Sequence, residues 1–238
     1  MRELLRFFRF LPSSLVLGFI VYLPGFAGII LRRWYYGRSF RRCGRGLTIL
    51  PGVHIEGAPF IEVGDDVTIR ENVVLRAGRQ PSHTEMREVL EFGSYEGRER
   101  GVVSIGDRSR IAFGAIILGY GGMRIGAKCG IGPYAVLLSE SFHHQGKDPA
   151  RVYKYSQGAD PQELCVLRGH VELRDGAGVA SNVIVLPGAT IGRDSWVAPQ
   201  SVVRIGGVIP DDVVAKGDPA SPVFSRRYAS SRPAAPRK

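Results

Sequence analysis

The chain is poor in groups that cross-link or hold metal. Its 238 residues include only three cysteines, Cys43, Cys129 and Cys165, an odd number without paired spacing. That excludes a disulfide framework or a cysteine zinc site and fits a reducing compartment. Acidic residues are scarce at both ends. Residues 1–46 hold nine arginines against Glu3, and the tail from Val223 adds five cations and no acid. Subtracting those +8 and +5 from the net +10 leaves 47–222 at −3. Nucleic-acid binders carry their basic stripe on the folded body, so no nucleic-acid partner is expected; positive ends suit an anionic membrane surface.

A long membrane-crossing run is also lacking. The apolar segment Leu15–Leu31 is 17 residues long and is broken by Pro24-Gly25, whereas a straight crossing needs about 20. Arg2, Arg6 and Arg9 precede it, and Arg32-Arg33-Trp34-Tyr35-Tyr36 follows as an aromatic and basic collar. Charge on both sides predicts a re-entrant helical hairpin with both ends on the cytoplasmic face of the inner membrane. The alternatives are a hairpin packed on the body or on neighbouring subunits. Residues 1–46 are thus expected to form a membrane-associated helical segment, and 223–238 a basic tail.

What the sequence has in abundance is a period of six. Leu173, Val179, Val185, Ile191, Val197 and Val203 follow one another at that spacing, and so do Ile105, Ile111 and Ile117, Ile125, Ile131 and Leu137, and Val63, Ile69 and Leu75. Small residues often come next, as in Ile105-Gly106, Ile131-Gly132 and Val179-Ala180. Sandwich strands alternate with period two and helices with 3.6, so neither explains the pattern. Hexads that each make a flat face and a corner close three faces into a triangular coil. The aliphatics point inward, and each coil is buried by its neighbours. The repeat predicts an all-β domain over 47–222, a parallel β-helix interrupted at 77–101 and 142–169. The first interruption is read as holding a short helix at 86–90. Loops leaving a regular scaffold commonly carry function.

From Val171 to Ala220 the sequence resembles the carboxy-terminal half of hexapeptide-repeat acyltransferases with a left-handed parallel β-helix. The resemblance rests on Asn182-Val183-Ile184-Val185-Leu186-Pro187-Gly188, then Ile191-Gly192, then Gly217-Asp218-Pro219-Ala220. It is closest to the galactoside and maltose acetyltransferases and to the O-acetyltransferases of surface polysaccharides. Three positions depart from that pattern. Gly178 stands where the family has tryptophan, Arg204-Ile205 where it has Thr-Lys, and Gly114 where it has an acceptor-binding asparagine.

The resemblance implies acetyl transfer from acetyl-CoA, as co-substrate, to a sugar or glycan hydroxyl, with a lipid-linked intermediate as one acceptor. It implies a homotrimer and no metal. Leu138-Ser139-Glu140-Ser141-Phe142-His143 matches the spacing that leads to the family's histidine, so His143 is the expected general base, with His144 the alternative and Glu140 as its orienter. Ser181 and Pro199 correspond to positions along the CoA arm, and Arg204 and Lys216 are placed to meet its phosphates. Direct attack on the thioester needs neither a metal nor a covalent enzyme intermediate. The γ-type carbonic anhydrases on this scaffold need a His-x4-His pair, absent from His54, His83, His143, His144 and His170. N-acylation of an amino sugar and a non-catalytic scaffold are the other readings.

Overall fold

The computed structural model describes residues 15, 17–78, 88–92, 99–143, 150, 152–154, 159–160 and 163–226. Three parallel sheets run the length of the body. The first face is built from Arg42–Cys43, Ile61–Val63, Val103–Ile105, Met123–Ile125, Val171–Leu173, Thr190–Ile191 and Val208–Ile209. The second holds Thr48–Ile49, Thr68–Ile69, Arg110–Ile111, Gly130–Ile131, Gly178–Val179, Trp196–Val197 and Val213–Lys216, closed by antiparallel Ser221–Ser225. The third holds His54–Glu56, Val74–Arg76, Ile116–Leu118, Val136–Leu138, Ile184–Val185 and Val202–Val203. The chain visits the faces in the order first, second, third and returns, making six full coils and the start of a seventh.

The sixfold period sets the core. Leu173, Val179, Val185, Ile191, Val197 and Val203 all point inward, none more than 2% exposed. A second inward position lies two residues earlier and is filled by Val171, Ala177, Val183, Ala189, Ser195 and Ser201, all fully buried. The buried serines bridge coils at the corners. Ser195 Oγ donates to the Pro210 carbonyl at 2.5 Å and accepts from the Val213 amide at 3.0 Å. Ser109 does the same between Gly126 and Cys129. Most corners also turn through one left-handed residue, three positions after the inward aliphatic. Glycine fills it at Gly176 and Gly188, and Asp66, Asn72, Asn182 and Asp194 adopt it with φ between 52° and 56°. Asn and Asp tolerate that region better than other side chains do.

The boundaries differ from those expected. The prism begins at Arg42–Cys43, paired with Glu62 and Val63, and not at residue 47; its last strand reaches Ser225 and not 222. In the first interruption, Glu88–Phe92 is a strand and not a helix. It pairs in parallel with Cys165–Gly169 from the second interruption, which pairs antiparallel with Glu140–His143. Tertiary pairing overrides the weak helical signal of such a short segment. Residues 86 and 87 lie outside the described residues.

At the amino-terminal end, helical residues 17–22 are followed by Leu23-Pro24 and then by the helix Gly25–Ser39. Pro24, which lacks an amide hydrogen, stands at the break as the N-cap of the second helix. The expected collar is part of this helix. Arg32 and Tyr36 are buried, with Gly28, on the side facing the first coil, and Tyr36 and Phe40 join the prism core. The Arg32 guanidinium donates to the carbonyls of Ile49 at 2.8 Å, Ile20 at 3.0 Å, Val21 at 3.3 Å and Leu23 at 2.8 Å. It satisfies carbonyls that the end of a helix leaves open and ties the hairpin to the body. Arg32 is therefore no surface charge, and the hairpin closes the end of the prism. Arg2, Arg6 and Arg9 lie outside the described residues.

Candidate active site

Both interruptions leave the prism at the same corner, between the third and first faces, after Arg76 and after Leu138. There they build the side sheet of Glu88–Phe92, Cys165–Gly169 and Glu140–His143. Five hydrogen bonds hold its root. Ser139, fully buried, accepts from the Gly121 amide at 2.9 Å and donates to the Leu118 carbonyl at 3.0 Å. The Gly169 amide donates to the Ser139 carbonyl at 3.0 Å. Arg168 reaches Glu140 Oε1 through Nη2 at 2.7 Å and Nε at 3.2 Å. The Glu140 side chain is only 2% exposed and that of Arg168 18%, so water screens the pair little.

His143 ends the strand that this root positions. It is half-buried, in register with the fully buried Cys165. Successive strand residues point to opposite sides, so Glu140 and His143, three apart, project from opposite sides of the sheet. Glu140 is thus a buried carboxylate paired with Arg168 on the side of the sheet opposite the imidazole, where it anchors the strand. His144 lies outside the described residues.

The remaining expected residues divide between two corners that bound the third face. Ser181 and Pro199 stack in successive coils at the corner between the second and third faces, where the Gln200 amide donates to the Ser181 carbonyl at 3.1 Å. Lys216 follows one coil further along the same edge, at the end of Val213–Lys216. Arg204 lies at the other corner, in line with Leu138 and so with the root of the His143 strand. Its Nε is 2.9 Å from Asp218 Oδ1, with both side chains more than half exposed. A phosphate at Arg204 would compete with that carboxylate. Within one chain, then, His143 and Arg204 flank one edge of the third face, and Ser181, Pro199 and Lys216 flank the other.

Sequence reasoning missed three features. An aromatic pair, Phe113 and Tyr134, stands on the corner column of Ser181, with ring centroids 5.2 Å apart and edge-to-face geometry. Tyr134 holds φ 56° and is 57% exposed. An aromatic ring at a corner position that elsewhere takes Gly, Asn, Asp or a long polar side chain was the available signal. The second is Trp196, whose indole leans over Gly178 from the next coil: a Cβ on Gly178 would stand 3.1 Å from its Cδ1. The third is His170, 8% exposed, on a charged hollow of about 260 Å³ beside the corner of the insertions, with Arg41, Glu62, Glu99, Ser104 and Arg124.

No protein-family model matches the sequence, and no curated protein matches it. Solved structures share its fold. AntD, an N-acyltransferase from Bacillus cereus determined with dTDP and 3-hydroxybutyryl-CoA, is similar at 17% identity over 82% of this chain and 88% of its own, with a TM-score of 0.63. The hexapeptide-repeat-containing acetyltransferase VCA0836 from Vibrio cholerae O1 biovar eltor, determined with acetyl coenzyme A, is similar at 20% identity over 88% of this chain and 83% of its own, with a TM-score of 0.52.

Proposed function

We propose that this chain is an acyl-CoA-dependent acyltransferase built on a left-handed coil, moving an acetyl group from acetyl-CoA to a hydroxyl of a sugar or glycan precursor. The observation that carries the reading is His143 at the end of a strand braced by Ser139 and the Glu140–Arg168 pair, beside a prism corner. Folds of this kind hold acyl-CoA in AntD and acetyl-CoA in VCA0836.

In the proposed step the acceptor oxygen attacks the thioester carbonyl while the His143 imidazole takes its proton. The tetrahedral intermediate collapses, the C–S bond breaks, and the CoA thiolate receives the proton from the imidazolium. Such positioned proton transfer contributes about 10²–10⁴-fold. The CoA arm is placed along Ser181 and Pro199 towards Lys216, with Arg204 reaching a phosphate once it releases Asp218.

The two edges of the third face come together only if a neighbouring copy brings its Ser181 edge to this chain's His143 edge, which is the role proposed for a homotrimer. The outward column of that face supports it: Val74, Ile116, Val136, Ile184 and Val202 are in register, whereas the first face turns out Arg42, Glu62, Ser104, Arg124 and Glu172.

A second reading, transfer to the amine of a nucleotide-linked amino sugar, is favoured by the likeness to AntD, a mutant of which has been determined with dTDP-4-amino-4,6-dideoxyglucose and coenzyme A. The test is release of free CoA from acetyl-CoA against matched hydroxyl and amino-sugar acceptors. His143→Ala is expected to lose about 10²–10⁴-fold in kcat with the fold intact. Full activity in that variant, with loss in His144→Ala, would move the base to His144; no CoA release with any acceptor would leave the scaffold reading.

A further inference from the structure

The helical cap carries two opposed stripes. Gly28, Arg32 and Tyr36 are buried against the first coil. Phe26, Ile30 and Trp34, each two residues earlier and so about 200° round the helix, point away from the body and are 77%, 53% and 53% exposed. Phe19 of the first helix adds a further ring at 62%. The cations beside this stripe are exposed too: Arg33, and Arg38, whose guanidinium lies 4.7 Å over the Trp34 ring. No acid faces them from the sequence around, because none occurs between Glu3 and Glu56.

We propose that this outward stripe docks the prism end-on against an anionic phospholipid surface, entering one leaflet without crossing it. Aromatic and aliphatic side chains rimmed by arginine suit the boundary between headgroups and acyl chains. Crossing is disfavoured by the architecture. Among the described residues no helix is long and apolar enough to cross a membrane, and the opposite stripe is committed to the body. A hairpin that left the prism would have to break Arg32 from the Ile49 carbonyl and the Gly52 amide from Val21 and uncover Tyr36 and the first coil, and straightening it to span would also free the Ile20, Val21 and Leu23 carbonyls from Arg32. The cap therefore acts as a fixed foot. Coils stack at about 4.8 Å, so the fourth coil, which ends at Leu138, stands about 14 Å from the first, and an acceptor carried by a lipid would be met at a set height above the surface. Docking itself does not depend on the acyl-transfer reading.

The test uses the full chain with vesicles of phosphatidylcholine alone or with phosphatidylglycerol. The wild type is expected to float with the anionic vesicles and to be released several-fold by salt. In a Trp196→Phe background, the remaining Trp34 emission should shift to the blue and be quenched by lipids brominated near the headgroup. The triple variant Phe26→Ser, Ile30→Ser, Trp34→Ser should lose at least about tenfold in partitioning while keeping its circular dichroism and its CoA release with a soluble acceptor. Binding that survives the triple substitution, or no binding by the wild type, overturns the proposal. A triple variant whose mass in vesicle-free solution falls below that of the wild type also overturns it, since the stripe would then join two copies. Loss of CoA release in His143→Ala without loss of flotation separates the docking claim from the catalytic one.

Discussion

Arg32 shows how one residue's meaning depends on where its side chain ends. In the sequence it is the first cation after an apolar run; in the structure it is fully buried on four carbonyls. Burial pushes its pKa below the ordinary value, against a smaller opposing effect of Tyr36, and burial raises the Tyr36 hydroxyl to about 12. Removing the guanidinium takes a donor from the Ile49, Ile20 and Leu23 carbonyls in an apolar setting, while Val21 keeps the Gly52 amide, and such a loss is costlier than losing a surface charge. Arg32→Ala is expected to cost about 3 kcal/mol in urea-induced unfolding, and Arg32→Lys, with a single nitrogen, to recover only part. Arg33→Ala, on the exposed side, should leave the midpoint where it is. A midpoint unchanged in Arg32→Ala would show that the clamp contributes little.

Elements here are too short to be stable alone, since strands of two or three residues gain nothing without the coils above and below. What they demand is close stacking. A Cβ at Gly132 would collide with the Ala180 carbonyl carbon of the next coil, and at Gly126 it would fall 2.5 Å from Asp175 Oδ1. Gly130, two residues before Gly132, faces open space with nothing within 4 Å. Gly132→Ala is expected to lower stability by about 1–3 kcal/mol, whereas Gly130→Ala should be neutral or slightly stabilising because it restricts the unfolded chain. Thermal unfolding of the two variants side by side checks this. Equal midpoints would mean that the corners yield more than the geometry suggests. The sixfold aliphatics and the small residues after them were legible because the repeat writes the same constraint many times. The side sheet was not legible: Glu88–Phe92 and Cys165–Gly169 are 77 residues apart at their starts, and each becomes a strand through the other.

At the scale of the molecule, the residues proposed for the site occupy two edges of one face, and the aliphatic column between them is turned outward. The measurement is mass in solution: light scattering should return three times 26.0 kDa. Val136→Arg, placed in the middle of that column, should reduce the mass to that of one chain and abolish CoA release while the coil persists in circular dichroism. A monomeric wild type that still releases CoA would mean that one chain completes the site.

The sequence alone determined the coil: aliphatic side chains every sixth residue can be buried together only on three faces, and that holds whatever the loops do. Through the resemblance at Leu138-Ser139 it also pointed to His143 as the base proposed above. Tertiary structure decided which charges are on the surface. Arg32 and Glu140 look like solvated ions in a linear reading and are buried on partners supplied by other segments. It also decided that two interruptions meet as one sheet and that the helical hairpin caps the prism. Those outcomes depend on contacts between residues far apart in the chain, and such contacts leave no periodic signal.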